Sequence, residues 1–521
     1  MFRQKLLTAL TSGADRPAVV DDLGPVTYSA LDLWSDRIAR VLGDHAEAPG
    51  DTSGEAAGEL CTALLLPNSA AWLGGYLGAL KSGAVVAPLN AALTRAEITK
   101  VLTSSRPRHL LTTPERADEM AALCRELRLS THVHTLDPAA RPTALPAPAV
   151  PAPMPTAVQT PHPQDPCLIM HTSGSTGACK GVVQSERSLY LATGIWHRRH
   201  RRPQDMVAVP LPLAHTYGHL AAVSTLLAGA TLIVSASCGP EQWVRLLQSH
   251  GVTILEAVPT LYARILRTPP LQQHSPPALP HLRRCLSGGQ QAPQALRAQW
   301  QQRTGIALVQ SWGMTELSGA GLCAAEDLPR CLDSVGVPLP GVEVKVVDPT
   351  DPETESPRGQ EGELWVRGPQ VTAGYRNTSR QVQPAADSDG WLHTGDLATR
   401  DAHGCVRIVG RSKDAIMTGG YTIQPGEVEE ALRCHSAVRD VAVLGRPDPD
   451  RGEVPHALVV LDSPRAAPSS EELIEHCRTL LARYKVPRTI DFVTHLPLSP
   501  VGKLDRPALR REFAESSGQG G

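Results

Sequence analysis

At 521 residues the chain is too long for one ordinary hydrophobic core, so two or more domains are expected. With 41% hydrophobic residues and a net charge of -2 it reads as a globular protein. That balance supplies no electrostatic reason to bind nucleic acid or an anionic membrane, and neither is expected as a partner.

In chain order, Met1–Ala14 carries Arg3 and Lys5, but its apolar part is broken by Thr8, Thr11 and Ser12, so no secretory leader is expected. Val26–Leu42 reads as a short strand and then a helix, with Leu31, Trp34, Ile38, Val41 and Leu42 on its inner side. Candidate buried strands at Ala63–Leu66, Val85–Val86 and Leu110–Leu111 alternate with helical stretches such as Ala70–Lys81 and Arg95–Leu102. Such alternation points to α/β layering. Residues 138–166 are rich in Pro and Ala and form a surface connector. From Met206 to Pro240 there is no Asp, Glu, Lys or Arg. Gly218, Gly229 and Gly239 break this stretch below the ~20 clean apolar residues of a membrane span. A buried helix near 219–228 and a buried strand near 230–236 are expected instead, with no stable membrane insertion. Beyond residue 335, short strands punctuated by Gly and Pro suggest a β-rich subdomain. After Arg411–Lys413 a small α+β unit follows, with a helix opening at Pro425 and another near Glu471–Tyr484. The eleven cysteines include no CxxC pair and read as buried or free thiols in a reducing cytoplasm.

Four motifs carry chemistry. At 168–183 an apolar run enters a loop of hydroxyls and glycines that closes on Lys180. Thr172, Ser173, Ser175 and Thr176 offer donors, and Gly174, Gly177 and Gly181 let the backbone fold around an anion. It is not a Walker A loop, because Cys179 precedes Lys180 and Gly181 follows it. After an apolar strand come Gln310, Ser311, Trp312, Gly313, Met314, Thr315 and Glu316. The aromatic offers a flat face to a purine, and the Thr-Glu pair suits a phosphate and its Mg²⁺. His393-Thr394-Gly395-Asp396 presents a carboxylate on a tight turn, suited to the two hydroxyls of a ribose, with Arg411 beyond it. Near the C-terminus, Lys503 lies on a loop flanked by Pro500 and Gly502. A flexible ammonium there can be delivered to a reacting centre and withdrawn. Three of the eight lysines, Lys180, Lys413 and Lys503, fall in such motifs.

Taken together and in order, these segments resemble the adenylate-forming superfamily of acyl-CoA synthetases, peptide-synthetase adenylation domains and beetle luciferases. Further matches are Gly-Arg-Ser-Lys-Asp at 410–414, Gly-Gly-Tyr-x-Ile at 419–423 and Pro-Val-Gly-Lys-Leu-Asp at 500–505. The resemblance spans about residues 16–510 and is greatest to a free-standing acyl- or aryl-CoA ligase. It implies a large N-terminal domain of layered α/β subdomains plus a β-rich subdomain, residues 1–410, and a small mobile α+β C-terminal domain, residues 411–521, with its hinge near Lys413.

The implied reaction has two steps: a carboxylate attacks the α-phosphate of ATP to give acyl-AMP and pyrophosphate, and coenzyme A then takes the acyl group. The resemblance assigns the 172–177 loop and Lys180 to the β- and γ-phosphates, with Thr172 also at the reacting centre. Gly289, Gln290 and Trp312 would line the adenine within a segment that includes Ser311, Gly313 and Met314. Thr315 would meet the α-phosphate, Glu316 the Mg²⁺, and Asp396 with Arg411 the ribose. Lys503 would bridge the carboxylate and the α-phosphate. His215 would gate or orient the acyl group, in a pocket with Tyr217, Gly288, Ser318 and Gly319. Gly419, Gly420 and Tyr421 would line the coenzyme A tunnel after rotation about Lys413. Cys179 departs from the family, which commonly has proline there.

The acid itself is not derivable from these residues: aryl, medium-chain and dicarboxylic acids all stay open. Arg264 resembles an arginine that serves a second carboxylate in malonate-activating relatives, although a surface or pyrophosphate-side role fits it better. Since the chain ends soon after Lys503, no fused carrier domain is expected and coenzyme A is the favoured acceptor. Loading of a separate acyl or peptidyl carrier protein is the alternative, and an inert nucleotide-binding relative a remote one.

Overall fold

In the computed structural model of the chain, Cys61–Leu65, Val85–Leu89 and His109–Thr112 are parallel neighbours, buried on both faces. Continuous apolar runs become such strands because no residue on them meets water. The structure describes residues 1–13, 15–44, 60–140, 161–173, 179–272, 279–324, 331–349, 351–377, 381–418, 421–448, 451–462, 467–499 and 503–517. Most of the connector expected at 138–166, the loop residues Gly174, Ser175, Thr176 and Gly177, and Gly419 and Gly420 lie outside the described residues.

The three strands belong to an eight-stranded sheet that also holds Pro166–Ser173, Cys179–Ser185 and Gly374–Arg376. A nine-stranded sheet has Leu308–Trp312, Arg284–Ser287, Ile254–Ala257, Met206–Ala208, Thr231–Ile233 and Pro17–Asp21 as parallel neighbours in that order. The largest core joins the two sheets, with Leu64 and Val86 from one and Val207, Leu232 and Leu286 from the other. Helix Ala70–Lys81 lies in it and is buried on every side, as its apolar sequence requires. A five-stranded antiparallel sheet, Asp351–Glu355 to Val406–Arg411, forms the β-rich part. The chain then changes sheet: a short turn at Ser412–Asp414 leads to Ile416–Thr418, in the C-terminal sheet beside Gly452–Leu461.

The charge-free stretch folds as expected, into helix Thr216–Leu227 and strand Thr231–Ile233. No helix among the described residues is long and apolar enough to cross a membrane. Two expectations need correction. Val41 is 48% exposed, because the apolar stripe of helix Tyr28–Asp44 is filled by Leu31, Trp34, Ile38 and Leu42. Cys331 and Cys405 are joined in a disulfide, with Cα atoms 5.7 Å apart. Distant in sequence, they meet because Gly336 bridges Val406 and brings the two segments alongside. Among the described residues eight other cysteines are free.

Candidate active site

Three parallel strands of the nine-stranded sheet end beside one another at Ala257, Ser287 and Trp312. The carboxyl edge of a parallel sheet is where α/β proteins bind ligands, since loops there converge without closing the sheet. Here it receives the residues singled out from sequence.

Asp396 and Arg411 are directly opposed on the antiparallel strands Leu392–Arg400 and Val406–Arg411. Arg411 Nε lies 2.6 Å from Asp396 Oδ1, and Trp312 Nε1 donates to Oδ2 at 2.8 Å. The Thr-Gly-Asp turn holds itself in place. Thr394 Oγ1 donates to Leu364 O at 2.6 Å, and Asp396 N donates to Thr394 Oγ1 at 3.1 Å. Burial pushes the Asp396 carboxyl above its ordinary value, and Arg411 opposes that shift. Trp312 therefore meets Asp396 through its ring nitrogen.

Thr315 ties three elements together. Thr216 Oγ1 donates to its hydroxyl at 3.0 Å, and Gln184 Nε2, on the strand that follows the phosphate loop, donates to its carbonyl at 2.9 Å. Glu316, half-buried, accepts from Tyr375 Oη at 3.0 Å. Lys180 Nζ lies 4.8 Å from the centre of the same Tyr375 ring. Tyr375 thus touches both charged residues expected at the phosphates. It escaped the sequence reading because a single tyrosine in Gly374-Tyr375-Arg376 has no distinguishing pattern. Thr172 pairs with Lys180 across the hairpin formed by Pro166–Ser173 and Cys179–Ser185. Ser173 closes the first of those strands.

His215 caps helix Thr216–Leu227, its Nδ1 accepting from Tyr217 N at 3.4 Å. Burial first, then the nearby Lys503 charge, lower the His215 pKa to about 3, so its imidazole is neutral at working pH. Lys503 comes from the C-terminal domain and lies against Gly289. A Cβ at Gly289 would stand 2.8 Å from Lys503 Cε and 3.0 Å from Nζ. Gly289 also has φ +81°, so both its backbone and this approach call for glycine. Burial, then Arg411, lower the Lys503 pKa to about 8, against the pull of Asp396. Two backbone contacts join the domains nearby: Gln294 N donates to Glu430 Oε1 at 3.0 Å, and Arg267 Nη2 donates to Arg439 O at 3.3 Å.

Tyr217 is buried, and its ring packs where a Cβ at Gly288 would be, 3.1 Å away. Ser311 Oγ donates to Ser287 O at 3.3 Å on the adjoining strand. Gly319, at φ +90°, packs on Thr216 and Leu220, and Ser318 beside it is buried. Gln290 and Met314 are half-buried at the same edge, and Gly313 backs onto the carbonyl of Gly319. Arg264 is exposed on helix Pro259–Leu266. Lys413 lies in the turn between sheets, where Arg510 Nη2 donates to its carbonyl at 3.4 Å. Tyr421 opens the strand Tyr421–Ile423.

The donors fit a magnesium nucleotide: one half-buried carboxylate, Glu316, and the cation Lys180 both meet Tyr375. Mg²⁺ is held by few carboxylates and completes its shell with phosphate oxygens. Among the described residues no cluster of three or more His, Cys, Asp or Glu could hold a metal alone.

Comparison with known proteins places this geometry. The chain is 33% identical to a feruloyl-CoA synthase from Amycolatopsis, over 94% of each protein. It superposes on ATP-bound MatB from Rhodopseudomonas palustris with a TM-score of 0.86 at 29% identity, covering 98% of this chain and 99% of that one. The apo form of the same protein, with equal coverage, gives 0.77. Residues 8–376 match the AMP-binding enzyme family and residues 427–503 its C-terminal domain. With both halves matched, and with the C-terminal lysine delivered to the sheet edge, the chain belongs to the AMP-binding enzyme family.

Proposed function

We propose that this protein uses ATP to convert a carboxylic acid to acyl-AMP with release of pyrophosphate, and then transfers the acyl group to coenzyme A. The observation that carries this reading is the meeting of Lys503, neutral His215 and the Asp396–Arg411 pair at the strand ends around Gly289.

Attack on the α-phosphate brings two anions together, so the protein's task is positioning and charge neutralisation. Lys503 in its ammonium form spans the attacking carboxylate and the α-phosphate. His215, being neutral, orients the carboxylate without binding it as a counter-ion. Thr315 and the N-terminus of helix Thr216–Leu227 face the α-phosphate with donors. Lys180, Thr172 and Ser173 hold the departing phosphates, and Asp396 accepts the ribose hydroxyls while Arg411 keeps it ionised. Glu316, steadied by Tyr375, would hold Mg²⁺, which when bound neutralises phosphate charge. The domain boundary falls at Arg411, and rotation about Lys413 withdraws Lys503 and admits the thiol past Tyr421. Coenzyme A is the acceptor and the cytoplasm the compartment.

The test is pyrophosphate release from ATP and Mg²⁺ with a panel of aryl, medium-chain and dicarboxylic acids, with and without coenzyme A. No pyrophosphate with any acid sinks the reading. Pyrophosphate without a coenzyme A thioester transfers the second step to a separate carrier protein.

A further inference from the structure

Lys503 can serve the reaction only if the segment that carries it is aimed, and the C-terminal domain holds that segment in three ways. The first hold is on the backbone. Ser499 N donates to Lys503 O at 2.7 Å, and Lys503 N donates back to Ser499 Oγ at 3.3 Å. Leu498 bridges Leu504, and Asp505 N donates to Pro497 O at 2.9 Å. The second hold is the helix that follows, Arg506–Ser517, where Asp505 Oδ1 accepts from Ala508 N at 2.9 Å and Leu509 is buried among Leu444, Leu458 and Leu496.

The third hold is polar. Arg506 donates from Nη2 to Glu429 Oε1 at 2.6 Å and from Nη1 to Val443 O at 2.9 Å. Glu429, on helix Pro425–Arg433, is 6% exposed, and the same oxygen accepts from Val443 N at 2.9 Å. One guanidinium thus joins that helix, strand Val438–Asp448 and the start of helix Arg506–Ser517. An apolar contact lets a helix slide or turn, whereas a planar fork on two partners fixes direction as well as place. A buried ion pair adds little stability over apolar side chains of the same volume, and its best-attested use is to set register. Arg506 is three residues from Lys503, at most about 10 Å of chain, so any turn of the fork is passed to the ammonium group. Farther along the same helix, Arg510 Nη2 donates to Asp414 Oδ1 at 2.8 Å and to Lys413 O at 3.4 Å, which ties the helix to the pivot turn.

We propose that Arg506, seated on Glu429, is a positioning residue for adenylation, aiming Lys503 at the strand ends around Gly289. The proposal rests on the acid-activation reading above and deepens it. The partners of Arg506 and Glu429 named here all lie in the C-terminal domain, so the pair acts through Lys503. Once Lys503 has been withdrawn for thioester formation, the pair has nothing left to aim.

The test uses the paired change Glu429→Gln with Arg506→Met, which leaves no lone buried charge and keeps an acceptor for Val443 N. The first measurement needs no substrate: trace labelling by acetic anhydride across the alkaline range, read by peptide mass spectrometry at each of the eight lysines. In the wild-type protein burial and Arg411, opposed by Asp396, set the Lys503 midpoint at about 8, and His215 nearby is neutral. A misaimed Lys503 leaves that environment, so its midpoint should rise by about one unit or more. Lys485, paired with Glu427 on the same helix as Glu429, reports whether that helix is still in place and should not move. A Lys503 midpoint that stays put, or that moves only together with that of Lys485, overturns the proposal.

The second measurement takes the panel acid that the wild-type protein turns over fastest and compares pyrophosphate release with conversion of that acid's supplied acyl-AMP to thioester. Adenylation should fall ~10-fold or more in the paired variant, and thioester formation by no more than about twofold. Equal losses in the two half-reactions overturn the proposal. If no acid releases pyrophosphate from the wild-type protein, the acid-activation reading fails by itself, and the Lys503 midpoint still decides whether Arg506 aims it.

Discussion

Lys503 links burial to a pH dependence. Its pKa is lowered from 10.5 to about 8, so the free enzyme loses the ammonium as pH rises through 8. The kcat/KM for adenylation should then fall above pH 8, approaching tenfold per unit. Bound phosphates favour the charged form, so the corresponding limb of kcat should lie at higher pH. Lys503→Arg should erase the limb whatever its residual rate. A pH–rate profile of both proteins checks this, and a wild-type profile flat from pH 7 to 10 would count against the role. His215, at about 3, should contribute no limb near neutrality. Asp396 is 3% exposed and has a charged partner, so Asp396→Ala should weaken ATP binding by roughly 1.5–3 kcal/mol, measured by calorimetry. Tyr375→Phe removes one hydrogen bond to Glu316, about 1 kcal/mol, and should slow adenylation roughly fivefold while raising the Mg²⁺ concentration needed for half-maximal rate.

At the scale of elements, the turn after strand Arg284–Ser287 shapes the centre. Gly289→Ala puts a side chain at φ +81° and within 3.0 Å of the Lys503 ammonium group. The backbone term alone costs about 1–2 kcal/mol. Adenylation should drop more than tenfold in protein whose circular dichroism is unchanged, and an active variant would show that Lys503 works from elsewhere. Much of this element was legible beforehand, because its apolar run and its glycines have local causes. The alternation of strands and helices, the helix Ala70–Lys81 and the order of the motifs were equally plain. What stayed hidden depends on pairing between distant segments. The Asp396–Arg411 contact is set by antiparallel register, and the Cys331–Cys405 bond by a bridge between loops far apart in sequence. Tyr375 acquires its partner only once the sheets meet.

Across the whole molecule, the two domains are joined among the described residues by polar contacts such as Gln294–Glu430 and Arg267–Arg439, which parts that separate can break singly. Lys503→Ala should cripple acyl-AMP formation yet leave conversion of supplied acyl-AMP to thioester, each half-reaction being assayed alone. Equal damage to both would remove domain alternation as the mechanism. Glu430→Ala deletes the contact with Gln294 and should slow only the first half-reaction, by no more than a few-fold.

The strand Val406–Arg411 ends on the residue that grips Asp396, and the next two positions lead to Lys413. On the proposed reading, nucleotide contact and pivot would be consecutive links of one chain. A ribose that settled on Asp396 would then tighten the tether from which the small domain swings, and one that departed would loosen it, so that site occupancy would set the stiffness of the joint.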